Sequence, residues 1–180
     1  VYFGNDTTES FFVDSGLTYS GAATTSFGGL YHLNGETVAS LVNGATHPDK
    51  TVAAGSIALD TSATNAAVGL AYTSRIKTLR LEAGSADGTS QGKIKRIHSI
   101  TLRLHETVGV EVGSSTNEVD RIPFRTSAMA MSAAVELFTG DKEIEFRGGF
   151  EEDEQIVVQQ SQPLPLTLLA IYPRLNTFDK

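Results

Sequence analysis

The chain contains no cysteine, and that single absence removes disulfide staples, thiol catalysis and thiolate metal sites together. It suits folding in a reducing cytoplasm without settling the compartment. Charge is sparse at 19% Asp, Glu, Lys and Arg, and the balance is acidic at −7. A surplus of that sign argues against nonspecific nucleic-acid binding, which needs clustered Lys and Arg. Long apolar runs are missing too. The longest, PLPLTLLAIYP over 163–173, is interrupted by proline and far too short to span a bilayer. The opening VYFGNDTTES is neither basic nor followed by an apolar run, so no signal peptide is expected. Residue 1 is valine rather than methionine, so the chain reads as a fragment of something longer. Residues 1–9 are then disordered or linker, and the fold starts near Ser10.

What is present points to β structure. With 180 residues the chain can hold one large domain or two small ones. Seventeen glycines among many Thr and Ser signal numerous turns between short strands. The clearest stretch is Lys93–Val112. From Ile100 on, Ile100, Leu102, Leu104, Val108, Val110 and Val112 fall on one face, and Thr101, Arg103, His105, Thr107 and Glu111 on the other. A period of two is the mark of a half-buried strand. Glu106 breaks the apolar face, which predicts a bulge or turn at Glu106-Thr107 and either one bent strand or two shorter ones.

Around that stretch the other elements follow in order. Residues 10–20 are a first extended segment, and 21–29 a small-residue connection. Val38 and Val42 share a strand face opposite Leu41, and Asn43-Gly44 is the favoured pair for a type I′ hairpin. His47-Pro48-Asp49 reads as a second turn, and Val52 and Ser56–Asp60 as further strands. Residues 76–81 are ambiguous, with strand preferred, and 83–92 is an exposed loop. RIPFRT (121–126) is edge-like because of Pro123. SAMAMSAAVELFTGD (127–141) is either the one helix candidate or a loop ending in a strand at 135–138. Ile144 and Phe146 alternate with Glu143, Glu145 and Arg147. Strands are expected at 156–158 and 166–172, the latter central and covered on both faces. The tail RLNTFDK is polar. The fold class is therefore all-β, a small meander or barrel subdomain (10–82) followed by an antiparallel sandwich (93–180).

Chemistry is hard to find. His32 and His47 flank the Asn-Gly hairpin with Asp49 nearby, but no ligand spacing resembles a zinc site. Glu151-Glu152-Asp153-Glu154 is a dense acidic run, read as a solvated loop against an acid/base pair or a cation site. There is no GxSxG, calcium loop or phosphate loop. No catalytic residue, metal or cofactor is expected. Charge does segregate. Arg75, Lys77, Arg80, Lys93, Lys95, Arg96 and Arg103 are half of the fourteen basic residues, while seven of twenty-one acids lie between Asp141 and Glu154. Solvated faces explain this; so would a basic surface on one copy meeting an acidic one on the next.

Three stretches, 29–59, 68–104 and 137–175, with LNGETV, YTSRIKTL, GKIKRI and QSQPLPLTLLAI inside them, resemble the C-terminal region of tail nozzle or tail tubular proteins of tailed phages and prophages. These are sometimes called stabilisation proteins. The first stretch is also similar to a small β-barrel module named after ubiquitin-activating enzymes, a likeness of fold without that chemistry. The resemblance covers about Ser10 to Phe178 and implies a structural virion protein, not an enzyme. It would be part of a homo-oligomeric ring under the portal, touching other tail and portal-adjacent proteins. DNA would pass through without sequence-specific binding, and no membrane would be involved. The place implied is the virion tail, assembled in the host cytoplasm. Arg75, Lys77, Arg80, Arg103 and His105 are the candidates for subunit or domain contacts. The alternative is a glycan- or receptor-binding module using Tyr19, Phe27, Tyr31 or Tyr72.

Overall fold

A computed structural model describes residues 6–82, 89–131 and 133–178. Among them the only helical piece is a 3-10 turn at Tyr31–Leu33. The strands are β1 (Asp14–Gly28), β2 (Thr37–Val42), β3 (Ala45–Thr51), β4 (Ser56–Leu70), β5 (Ser74–Lys77), β6 (Ile94–Thr107), β7 (Glu111–Gly113), β8 (Val119–Arg121), β9 (Phe138–Glu145), β10 (Val157–Gln160) and β11 (Leu168–Phe178). They form three antiparallel sheets, ordered β1-β4-β2-β3, β5-β10-β7-β8 and β11-β6-β9. The protein is all-β, as its alternation and turn chemistry require.

The first sheet is open, neither the closed barrel nor the meander expected: β1 and β3 are its edges, and only β2 and β3 are both neighbours and consecutive, because β4 returns between β1 and β2. Asn43 and Gly44 both have positive φ (49° and 79°), the type I′ geometry that matches the twist of the two strands. The Asn43 side chain also donates to Ser62 O and accepts from the Thr64 and Asn65 amides, tying the hairpin to β4. His47-Pro48-Asp49 is not a turn. It is an irregularity within edge strand β3, where the register slips between Val38 and Ser40, a place where proline costs no central hydrogen bond. Residues 21–28, expected as a connection, continue β1, because β4 is long enough to pair with them up to Gly28.

β2 is buried on both faces. Val38 and Val42 enter the first core with Leu30, Val52, Ile57 and Val68. Leu41 and its cross-strand partner Ala67 belong to the second core, under the other two sheets. One strand pair therefore seals both cores. The chain leaves the first sheet at Leu70, ahead of the expected boundary at Glu82. Ser74–Lys77 finds its partner in Val157–Gln160, so β5 belongs with the later strands.

β6 is the central strand of the third sheet. Ile97, Ile100, Leu102 and Leu104 are all but fully buried. The step from Ile97 to Ile100 is three, not two, because the pairing with β11 shifts between Arg174 and Leu175; that is why regular alternation starts only at Ile100. Glu106 has φ +44°, and the pairing with β9 slips between Leu104 and Thr107. The bulge read from the sequence is there. Its consequence was not: it turns Thr107 inward, where its Oγ accepts from the Thr167 amide, and Glu111 is likewise buried. The segment 166–172 is not central. Among the described residues β11 pairs only with β6, and Leu169 is 61% exposed. The strand also runs on through the polar tail to Phe178. Residues 127–131 and 133–137 take the loop alternative, and β9 begins at Phe138. Most of the expected loop at 83–92 (residues 83–88), with Ser132 and residues 1–5, lies outside the described residues.

Because Leu41 sits on a strand of one sheet and in the core of the others, the chain is expected to unfold in one transition. Leu41→Ala should lower its stability by about 2–5 kcal/mol. Urea unfolding followed by tyrosine fluorescence and by circular dichroism checks this, and two separated transitions would contradict it.

Candidate interaction surface

The second sheet carries one polar rung across all four of its strands. The register aligns Arg75 on β5, Gln159 on β10, Glu111 on β7 and Arg121 on β8. Arg75 Nε donates to Gln159 Oε1 (2.9 Å), Gln159 Nε2 to Glu111 Oε2 (2.9 Å), and Arg121 to Glu111 Oε1 (3.1 Å). Ser161 Oγ donates to Glu111 as well, at 2.8 Å. Burial pushes the Glu111 carboxyl up, but the bonds from Gln159, Ser161 and Arg121 outweigh it and hold the group below its ordinary value. Opposite each other on one face, side chains in such a row meet directly.

The outer face of the third sheet holds a second group of ordered charges. Arg103 on β6 lies in register with Asp141 on β9 and grips it with two bonds of 2.7 Å. It also lies over the Tyr172 ring at 5.3 Å. The hydrogen bond and charge of Asp141 raise the Arg103 pKa, and Arg103 in turn lowers that of Asp141. Arg174 reaches Glu143 at 2.9 Å. Arg96 stacks on Phe150, which meets Phe178 edge-on. These groups are exposed, so each pair contributes little to stability and more to a defined surface.

The five candidate contact residues do not form one patch. Arg75 and Lys77 sit on β5, Arg80 just beyond it in an ion pair with Asp153 (2.7 Å), and Arg103 and His105 on the third sheet. His105 is exposed beside Glu106. The basic and acidic segments largely meet within the chain: Arg80 with Asp153, Arg103 with Asp141, and Lys95 with the 151–152 backbone. Lys95 is fully buried, and its Nζ donates to Glu152 O at 3.1 Å. Of the aromatic residues for glycan binding, Phe27 is core and Tyr19 stacks edge-on against it; Tyr31 and Tyr72 are exposed.

The acidic run divides. Glu151, Glu152 and Asp153 are exposed, as a solvated loop should be. Glu154 is 2% exposed, and neither carboxylate oxygen has a hydrogen-bond partner. Burial, with the charge of Glu151, raises its pKa to about 7. A readable signal existed: Glu154 keeps the phase of Ile156 and Val158, both core residues. Reciprocal backbone bonds between Glu151 and Lys95 (2.8 and 3.0 Å) and the bond from Leu81 N to Glu154 O hold this loop against β6 and the segment after β5. Glu82 is the opposite case. The Ser90 amide and the Thr89 and Ser90 hydroxyls hold its carboxyl down at about 2.

Among the described residues no three His, Asp or Glu side chains converge on a metal position. His32 bonds Ser15 O, and His47 lies between Pro48 O and the Asp60 amide. An accepting Nε2 at His47 requires the proton on Nδ1, the neutral tautomer. No protein-family model matches the chain, and no curated protein sequence matches it significantly.

Two outcomes follow from the buried carboxylates. Glu154 is more easily protonated folded than unfolded, so its contribution is complete below its unfolded value of 4.5 and is lost as pH rises through about 7. The melting temperature should therefore fall between about pH 5 and pH 8, and Glu154→Gln should flatten that slope; an unchanged slope in thermal melts would refute the assignment. Glu111→Ala strips Gln159 and Arg121 of their shared acceptor, and denaturant titration should show a loss of about 1–3 kcal/mol.

Proposed function

We propose that this chain is a structural, non-catalytic module of a phage tail, part of a nozzle or tubular component around the DNA-exit conduit. The observation that carries the reading is the resemblance of its three stretches to such proteins. The all-β body supports it, because every sheet ends in open strand edges, and such edges are templates for pairing with neighbouring chains. In this role the full-length protein is a homo-oligomeric ring that meets other tail and portal-adjacent proteins. An acidic surface lets DNA slide past by like-charge repulsion. The site is the virion tail, reached after assembly in the host cytoplasm, with no membrane step.

Antibody labelling of purified phage particles is the direct check. Label at the tail, with the chain present in particle mass spectra, is the expected result; a chain absent from the particles ends the reading.

A further inference from the structure

We infer that strand β5 of one copy pairs antiparallel with the free edge of β9 in a second copy. The inference rests on the repeated-subunit role above and names the surfaces that role requires. β5 and β9 are both edge strands, in different sheets. The direction of their free hydrogen-bonding groups follows from the bonds they already make. Thr78, next after Lys77, donates its amide to Ile156 O in the direction of β10 (2.9 Å). Backbone groups alternate sides along an antiparallel strand, so those of Ser74 and Ile76 also face β10, and those of Arg75 and Lys77 face outward. On β9, the Phe146 amide donates to His98 O on β6 (3.0 Å). Ile144 and Lys142 therefore face β6, and Glu143 and Glu145 present their backbone groups to the open edge.

The two free edges match in phase and in charge. Setting Arg75 opposite Glu145 puts Ile76 opposite Ile144 and Lys77 opposite Glu143. Both outer pairs then bring together outward-facing backbone groups, which exchange two hydrogen bonds each, under side chains of opposite sign. The isoleucines meet on the other face. Ile76 is 49% exposed. Among the described residues neither Lys77 nor Glu145 has an ion-pair partner within its own chain.

The β9 edge opens into a groove of about 1450 Å³ between the second and third sheets. Val112, Ile122, Ile144 and Phe146 contribute apolar lining, and charged residues such as Asp120, Glu143, Glu145 and Arg147 ring it. The other edges are less suited. On β11 the same alternation turns the Pro173 nitrogen outward, removing a donor. β3 carries Pro48, β8 has three residues, and β1 is mostly small and uncharged. Two different edges joined in this way form a head-to-tail contact, which propagates until it closes into a ring or continues as a filament.

Sedimentation of the chain should show concentration-dependent association. Lys77→Glu and Glu143→Lys should each weaken it by about tenfold or more. Mixing the two variants should restore it, since each then offers the other complementary edges at both junctions. In the unaltered protein, the amides of Arg75, Lys77, Glu143 and Glu145 should gain hydrogen-exchange protection as concentration rises, while those of Ile76 and Ile144 stay unchanged. A chain that remains monomeric, or one that associates without protecting those four amides, overturns the inference. Protection at those amides in a protein absent from phage tails would sink the tail role and leave the pairing standing; tail location without it would do the reverse.

Discussion

At Glu106 the backbone takes a φ of +44°, a left-handed conformation that costs an L residue about 1–2 kcal/mol. The second and third sheets depend on it. Before this residue the chain is the central strand of the third sheet; after Val108-Gly109-Val110 it is β7, inside the second. The turn is held from the other side: Thr167 O accepts from the His105 amide and Pro165 O from Val108 N, and Thr107 Oγ accepts from the Thr167 amide. Gly109, at φ +87°, allows Leu164 and Gln160 to press against the same corner. One run of alternating residues thereby supplies apolar side chains to both sheets around a single core.

The β2–β4 pair does for the first sheet what Glu106 does for the other two. Leu41 and Ala67 lie in register and face the second core, while Val38, Val42 and Val68 face the first. A strand with two apolar faces is stable only between two layers. The connection is therefore built of packed side chains and not of a linker. The charge pattern follows from the same geometry. β6, rich in bases, pairs with acidic β9, and Arg103 meets Asp141 between them. Lys77 and Glu145 remain over, on separate edges.

Much of this was readable in the residues. The type I′ hairpin at Asn43-Gly44, the break at Glu106 and the alternation of β6 and β9 are local, since turn chemistry and side-chain period act within a few residues. The misread places were long-range. Pro48 reads as a turn, yet an edge strand tolerates it. Residues 166–172 read as a central strand because they are apolar, although among the described residues β11 has a neighbour on one side only. Glu154 reads as part of a solvated loop on composition, although its phase with Ile156 points inward.

The residues alone specify that the protein is all-β, where its hairpin and its main bulge fall, and which face of Ile100–Leu104 is buried. These depend on backbone preference and on the period of two. Only the tertiary structure decided which strands are neighbours, that β5 joins β10 across 80 or so residues, and that Glu111 and Glu154 are covered. Strand pairing, the burial of a carboxylate and the loss of its partners depend on chain segments far apart in sequence, and no local pattern specifies where those segments meet.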